Sequence, residues 1–81
     1  MKSRDFPGHV AWTETRLNGD HALAFVVIQP IAANAEPQFH LVYHQSYFIR
    51  RSDALAAAEE ALGRLMRIDE QGRPVFSPQD F

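Results

Sequence analysis

Cysteine is absent from the 81-residue sequence, so the chain forms no disulfide bond and has neither a thiolate metal site nor a cysteine nucleophile. Long apolar runs are also absent. The longest, Ala22 to Ile28, is far shorter than the ~20 residues that span a bilayer. The N-terminal residues contain no apolar stretch of signal-peptide length. We therefore expect a cytoplasmic protein that does not bind membranes.

The chain also has no excess of positive charge. Eight Lys and Arg residues stand against ten Asp and Glu residues, which gives a formal net charge of −2. Dedicated nucleic-acid-binding domains usually carry a strongly basic face, so the overall charge does not favour that function. The chain is 46% hydrophobic and 22% charged, which is ordinary for a globular protein. At this length it forms a single domain.

Two strands joined by a hairpin are predicted in the first third of the chain. Residues 9–17 are rich in β-branched and aromatic side chains, and residues 22–29 are apolar at nearly every position. Asn18-Gly19 lies between them and favours a type I′ turn, because both residues tolerate a positive φ. Residues 1–8 are predicted to be an N-terminal arm that Pro7-Gly8 redirects.

A third strand and a helix are predicted after this hairpin. The third strand covers residues 39–44 and either continues irregularly to residue 49 or gives way to a short separate strand. Ser52 is predicted to be the N-cap of a helix that runs from Ala54 to about Arg67 and has Gly63 in its interior. We expect Leu55, Ala58, Leu62, Leu65 and Met66 to form its apolar face.

These elements predict an α+β fold. The fold has a three-stranded antiparallel sheet, or four strands if a short one is added, and one C-terminal helix packed on one face. Residues 9–76 form the β-β-β-α core, and residues 77–81 are a flexible tail. Residues 73–76 are expected to form a short extended segment near the sheet edge, and whether they pair with the sheet is left open.

The hairpin divides the sheet into a bulky face and a small face, because side chains alternate along each strand. The bulky face comprises Val10, Trp12, Glu14, Leu23, Phe25, Val27, Phe39, Leu41 and Tyr43. The small face comprises His9, Ala11, Thr13, Thr15, Ala22, Ala24, Val26, Ile28, His40, Val42 and His44. Because burial of large apolar side chains stabilises a fold most, we expect the helix to cover the bulky face.

The small face is then the candidate partner-binding surface. It is more apolar than an open sheet face usually is, so binding of a protein partner or formation of a homodimer is the expected function. Simple exposure to solvent is the equal alternative, and an edge strand is another route to a partner. The candidate partner-binding residues are Thr13, Val26, Ile28, His40, Val42 and His44.

Nucleic-acid binding is the alternative function. The candidate residues are Arg50, Arg51, Arg64 and Arg67, which are expected to form a local basic strip near the helix ends. The β-β-β-α order resembles the double-stranded RNA-binding fold, which recognises shape and phosphates. The leading helix of that fold and a lysine cluster at the helix start are missing here, and Asp53, Glu59 and Glu60 dilute the strip.

No catalytic, cofactor or metal site is predicted. His40 and His44 lie four residues apart, but on a strand they begin ~13 Å apart and cannot share a metal ion. His9 is expected to approach one of them across the sheet, and two histidines without a carboxylate make a weak site. The sequence contains no phosphate-binding loop and no Gly-x-Ser-x-Gly motif. We therefore expect a binding protein and not an enzyme.

Three segments resemble those of small uncharacterised bacterial β-β-β-α domains. They are residues 5–10, residues 47–55 with their aromatic lead-in and Ser-Asp-Ala-Leu helix start, and Gly63-Arg64 followed by Ile68-Asp69. The resemblance covers most of the chain, and its motifs are structural. It implies a sheet led by a hairpin and assigns no activity and no functional residue.

Overall fold

The computed structural model describes residues 3–32, 34–44 and 46–77. In these ranges the chain forms strands β1 (Ser3–Phe6), β2 (His9–Asn18), β3 (His21–Pro30) and β4 (Gln38–Val42), helix α1 (Arg51–Gly63), and strands β5 (Leu65–Ile68) and β6 (Pro74–Phe76). Strands β1 to β4 form one antiparallel sheet in sequence order, and β5 pairs with β6 in a second small sheet. The predicted α+β class is confirmed.

The ends of the main sheet differ from the prediction. The predicted arm contains β1, whose four residues pair with residues 9–12 of β2. Gly8, with a φ of +78°, lies in the tight turn between the two strands. Strand β4 ends at Val42, because Tyr43 has a left-handed φ of 52°, and Phe48 forms only an isolated bridge with Ala22.

The C-terminal segment also pairs differently from the expectation. Residues 74–76 pair with β5 and not with the main sheet. Ser77, the first residue of the predicted tail, donates a backbone hydrogen bond to the Arg64 carbonyl oxygen at 2.9 Å. The rest of the tail, the first two residues of the arm and Gln45 of the predicted bend lie outside the described residues.

The hairpin forms where it was predicted, but its turn is shifted by one residue. Asn18 pairs with His21, so the two loop residues are Gly19 and Asp20. Gly19 has a φ of +66°, whereas neither Asn18 nor Asp20 has a positive φ, so this is not the predicted type I′ turn. The shift keeps even-numbered residues of β2 opposite odd-numbered residues of β3. The predicted composition of the two faces is therefore correct within β2, β3 and β4. Tyr43, predicted on the bulky face, instead packs against the core that is buried with α1, and His44 lies beyond the end of β4.

The prediction of which face the helix covers was wrong. The residues buried with α1 are those of the small face: Ala11, Ala22, Ala24, Val26, Ile28 and Val42. The helix contributes Ala54, Ala58, Ala61 and Leu62 to the same cluster, and Leu65 of β5 completes it. The bulky face points away from the helix. Burial of large side chains was thus a poor guide to the side on which α1 packs.

The small side chains of the helix explain this choice. Three of its four buried residues are alanines, so the inward surface of α1 is nearly flat. Such a surface makes dense van der Waals contact only with a sheet face that is also made of small side chains, and aromatic rings would hold the helix away. Leu55 and Met66, predicted to be in the apolar face of the helix, are exposed.

Both helix ends also differ from the prediction. The N-cap residue is Arg50, which provides no side-chain hydrogen bond, and Ser52 lies inside the first turn. The helix ends at Gly63, and the chain continues directly into β5. At this end the Arg4 guanidinium donates to the carbonyl oxygens of Leu62 and Leu65, both at 2.7 Å. Arg4 thereby satisfies carbonyl groups at and just beyond the helix C-terminus.

Helix α1 has 13 residues, and no helix in the described ranges is long and apolar enough to cross a bilayer.

Ala58→Leu tests the packing of α1 on the small face. Ala58 is fully buried, so the larger side chain has no room and should lower the free energy of unfolding by about 1–3 kcal/mol in urea denaturation. Ala56→Leu is the matched control, since Ala56 is exposed on the same helix and the change should stay within about 0.5 kcal/mol. Equal effects of the two substitutions would contradict this packing.

Candidate binding surface

The face of the main sheet that points away from α1 is the candidate binding surface, and we call it the open face. Pairing in register places side chains of β2, β3 and β4 side by side on it. Its central residues are Val10, Trp12, Glu14, Arg16, Leu23, Phe25, Val27, Phe39 and Leu41. Within the described ranges the only helix lies on the opposite face, and Ile68 of β5 and Phe76 of β6 also pack against the helix-side core.

The aromatic side chains of the open face are held in a defined arrangement. The Phe25 and Phe39 rings meet edge to face, with centroids 5.9 Å apart. The Arg16 guanidinium carbon lies 4.4 Å from the Phe39 ring centroid and 5.8 Å from that of Phe25, which gives a cation–π contact with both rings. Nε1 of Trp12 donates a hydrogen bond to a Glu14 carboxylate oxygen at 2.9 Å. These contacts hold the side chains in a defined arrangement in the free domain.

The open face is apolar at its centre and along one edge. Val27 is 0% exposed, although it points away from the helix, because it sits in register between Trp12 and Phe39. Phe39 and Leu41, on the edge strand β4, remain 41% and 43% exposed. A sheet face in permanent contact with water usually carries polar side chains. This face has large apolar ones in its middle.

The predicted partner-binding residues are on the covered face. Thr13, Val26, Ile28 and Val42 are all buried on the side of α1. The hypothesis that they form an exposed docking surface is therefore corrected. His40 is half-buried on the same side of β4, and His44 is exposed beyond the end of that strand.

Two of the histidines do come together, as the sequence suggested for His9. His9 and His40 line one cavity of about 200 Å³, together with Arg73 from the turn before β6. The Nε2 atom of His40 is buried and has no hydrogen-bond partner among the residues that the structure describes, and desolvation lowers the pKa of His40. In the described part of the chain no group of three or more His, Cys, Asp or Glu residues could hold a metal ion.

The predicted basic strip is divided between the two ends of the helix. Arg50 and Arg51 lie at its N-terminus and Arg64 at its C-terminus, about 20 Å away for a helix of this length. Arg64 forms an ion pair with Glu60 at 2.8 Å, and Nε of Arg51 donates to the Thr15 hydroxyl at 2.9 Å. Arg67 belongs to β5. These side chains do not form one continuous cationic surface.

Sequence reasoning found the members of the aromatic cluster but not its exposure. Trp12, Phe25 and Phe39 were placed together on one face by the alternation of side chains. The signal that indicates their exposure is the alanine content of the buried side of α1, since a helix surface made of alanines packs best on small side chains. The role of Arg16 over the two rings also follows from alternation, since it lies four residues after Trp12 on the same strand.

The buried imidazole of His40 predicts a pH-dependent stability. Its lowered pKa means that the unfolded chain binds this proton more readily, so the free energy of unfolding should fall as the pH drops below ~6.5. Urea midpoints measured near pH 7.5 and pH 5.5 should differ, and the difference should be smaller in His40→Gln. His44→Gln, at an exposed position, is the control and should keep the full difference. An undiminished pH effect in His40→Gln would contradict the assignment.

Comparison with known proteins gives no relative from which a function could be transferred. No protein-family model, no curated protein and no solved structure matches the chain. This result agrees with the resemblance to uncharacterised domains, which rests on structural motifs and assigns no activity.

Proposed function

We propose that this domain is a protein-binding module that associates with a second copy of itself through the open face. The observation that supports this proposal is the cluster of Trp12, Phe25, Phe39 and Leu41 on a sheet face that no described element covers. The sequence predicted binding through a sheet face. The proposal keeps that function and moves it to the opposite face.

The apolar character of the open face favours a protein partner. Aromatic side chains supply large contact areas and lose little conformational entropy when they are already ordered, and they are enriched where proteins meet. Here the Phe25 and Phe39 rings are ordered by their mutual contact and by Arg16. Contact with a second sheet would remove the exposed parts of Phe39 and Leu41 from water, which is favourable in proportion to the apolar area buried.

The charges of the open face make a second copy a suitable partner. Glu14 and Arg16 are two residues apart on one strand and lie on the same face. In a twofold symmetric pair the same patch meets itself, so Arg16 of one copy can lie near Glu14 of the other. Two sheets packed face to face at ~10 Å interdigitate their side chains in this way. The centre of the face thus carries charges of both signs that can complement each other in such a pair, while a further carboxylate, Asp5, lies at the β1 edge beside Val10.

The size of the open face predicts a weak, reversible dimer. Residues 10–16 of β2 span about 20 Å and the three strands β2 to β4 span about 14 Å, which gives roughly 300 Å² for each copy. Stable complexes bury about 800 Å² for each partner. Association should therefore depend on concentration, with monomer dominant in dilute solution.

Nucleic-acid binding is less well supported. The four arginines proposed for it lie in separate places, and two of them have partners within the domain. Bases can stack on an aromatic sheet face, but such sites combine the rings with a positively charged groove. On the open face the single positive charge of Arg16 stands against the carboxylates of Glu14 and, on β1, of Asp5.

Leu41→Lys tests the proposed dimer. Leu41 is exposed on the edge strand of the open face, so the added charge should disrupt association and leave the fold intact. Sedimentation equilibrium of the unaltered chain between about 10 μM and 1 mM should show the molar mass rising towards that of a dimer. The variant should stay monomeric over the same range, with an unchanged circular dichroism spectrum.

Met66→Lys is the matched control, because Met66 is an exposed apolar residue of β5, which packs on the helix side of the main sheet. It should dimerise like the unaltered chain. A monomer at every concentration would overturn the proposal. So would salt-dependent binding of a single-stranded or duplex oligonucleotide that Leu41→Lys leaves unchanged, since that would assign the chain to nucleic acid through another surface.

A further inference from the structure

One half of β2 has a free edge beside the helix. Strand β1 covers only residues 9–12 of β2, whereas β3 pairs with all ten of its residues. In the described part of the chain no strand pairs with residues 13–18 on the side away from β3. The unpaired backbone N–H and C=O groups of such an edge can form a ladder with another extended chain.

A groove runs between this free edge and α1. It has a volume of about 490 Å³ and is lined by residues 13–15 on the strand side, which include Glu14, and by Arg51, Ser52, Leu55 and Glu59 on the helix side. Leu55 is 41% exposed although it is a large apolar residue. The helix side of the groove is therefore polar at both ends and apolar in the middle.

The wall of the groove also contains an unpartnered polar group. Thr13 is only 4% exposed, and its hydroxyl oxygen has no hydrogen-bond partner among the described residues. A buried hydroxyl without a partner lowers stability, so native structures seldom leave one. The neighbouring Thr15 hydroxyl, by contrast, accepts a hydrogen bond from Arg51. Among the described residues, the Thr13 hydroxyl is therefore the group in the groove wall that lacks a hydrogen-bond partner.

The spacing of the helix residues matches that of an extended chain. Arg51, Leu55 and Glu59 follow one another at intervals of four residues, which is about 6 Å along a helix. Side chains on one face of a strand recur every second residue, at about 6.7 Å. An extended peptide paired with residues 13–17 of β2 can therefore present three successive side chains on the helix side to these three residues, without reaching the part of β2 that β1 occupies. Opposite charges at the two ends and an apolar residue in the middle would complement them.

The direction of the helix fixes the order of those side chains. Arg51 contacts Thr15, whereas Arg4, which pairs with Ala11, contacts the carbonyl oxygen of Leu62. Helix α1 thus runs antiparallel to β2. A peptide antiparallel to β2, as β1 is, would run in the same direction as the helix. Its acidic residue would come first, beside Arg51, and its basic residue last, beside Glu59.

We propose that this groove binds an extended peptide segment of the pattern acidic-x-apolar-x-basic, added as an antiparallel strand to the free edge of β2. Backbone hydrogen bonds to residues 13–18 would provide affinity. Arg51, Leu55 and Glu59 would select the sequence, in the manner of other strand-addition sites. This site lies at the edge of β2 and shares only Glu14 with the open face, and it does not depend on the proposed dimer.

A pair of peptides with the same composition tests the pattern. One carries Glu-Thr-Val-Thr-Lys and the other Lys-Thr-Val-Thr-Glu, both flanked by serines and blocked at their ends. Titration calorimetry with the full chain should show that the first binds at least about tenfold more tightly, because the second places like charges together at both ends. Amide hydrogen exchange in residues 13–18 should slow only when the first peptide is present.

The double variant Arg51→Glu with Glu59→Lys exchanges the charges of the groove and should reverse the preference between the two peptides. Arg50→Glu is the control outside the groove and should keep the original preference. Equal affinity for both peptides, or no heat with either at millimolar concentration, would overturn the proposal. A dimer that persists in Leu41→Lys and protects residues 13–18 would also overturn it, because a second copy would then occupy the edge.

Discussion

The contact between alanines of α1 and small side chains of the sheet determines the rest of this structure. Ala54, Ala58 and Ala61 leave the helix with an almost flat inward surface, and only the face built around Ala11 and Ala24 matches it. Close packing of small groups provides many weak contacts per unit area and leaves no void. Once that choice is made, the large side chains of the sheet must lie on the other side.

Both proposed binding surfaces follow from this arrangement. The open face has its aromatic residues outward because the helix occupies the opposite side. The groove exists because β1, as far as the structure describes it, covers only residues 9–12 of β2, so that α1 flanks a strand edge with no neighbour in the described ranges. The two surfaces differ in chemistry. The open face presents aromatic rings and the separate charges of Arg16 and Glu14 to another sheet. The groove presents backbone hydrogen-bonding groups, with Arg51 and Glu59 at its ends.

Much of the fold was predictable from local patterns. The hairpin, the α+β class and the division of side chains between faces follow from strand alternation, and a turn shifted by one residue did not disturb that division. The covered face was not predictable from hydrophobic burial alone, because the size match between helix and sheet decided it. The helix end at Gly63 and the pairing of β1 depend on contacts between distant residues, such as that of Arg4 with Leu62. Alternation along a single strand contains no such information.

The account rests on α1 lying over the small face, and nuclear Overhauser effects between side chains test this most directly. Cross-peaks are predicted from the methyl groups of Ala54 and Ala58 to those of Ala24 and Val26. No cross-peaks are predicted from these helix methyl groups to the ring of Trp12, the single tryptophan of the chain. Cross-peaks between the helix methyl groups and the Trp12 or Phe25 rings would contradict the account.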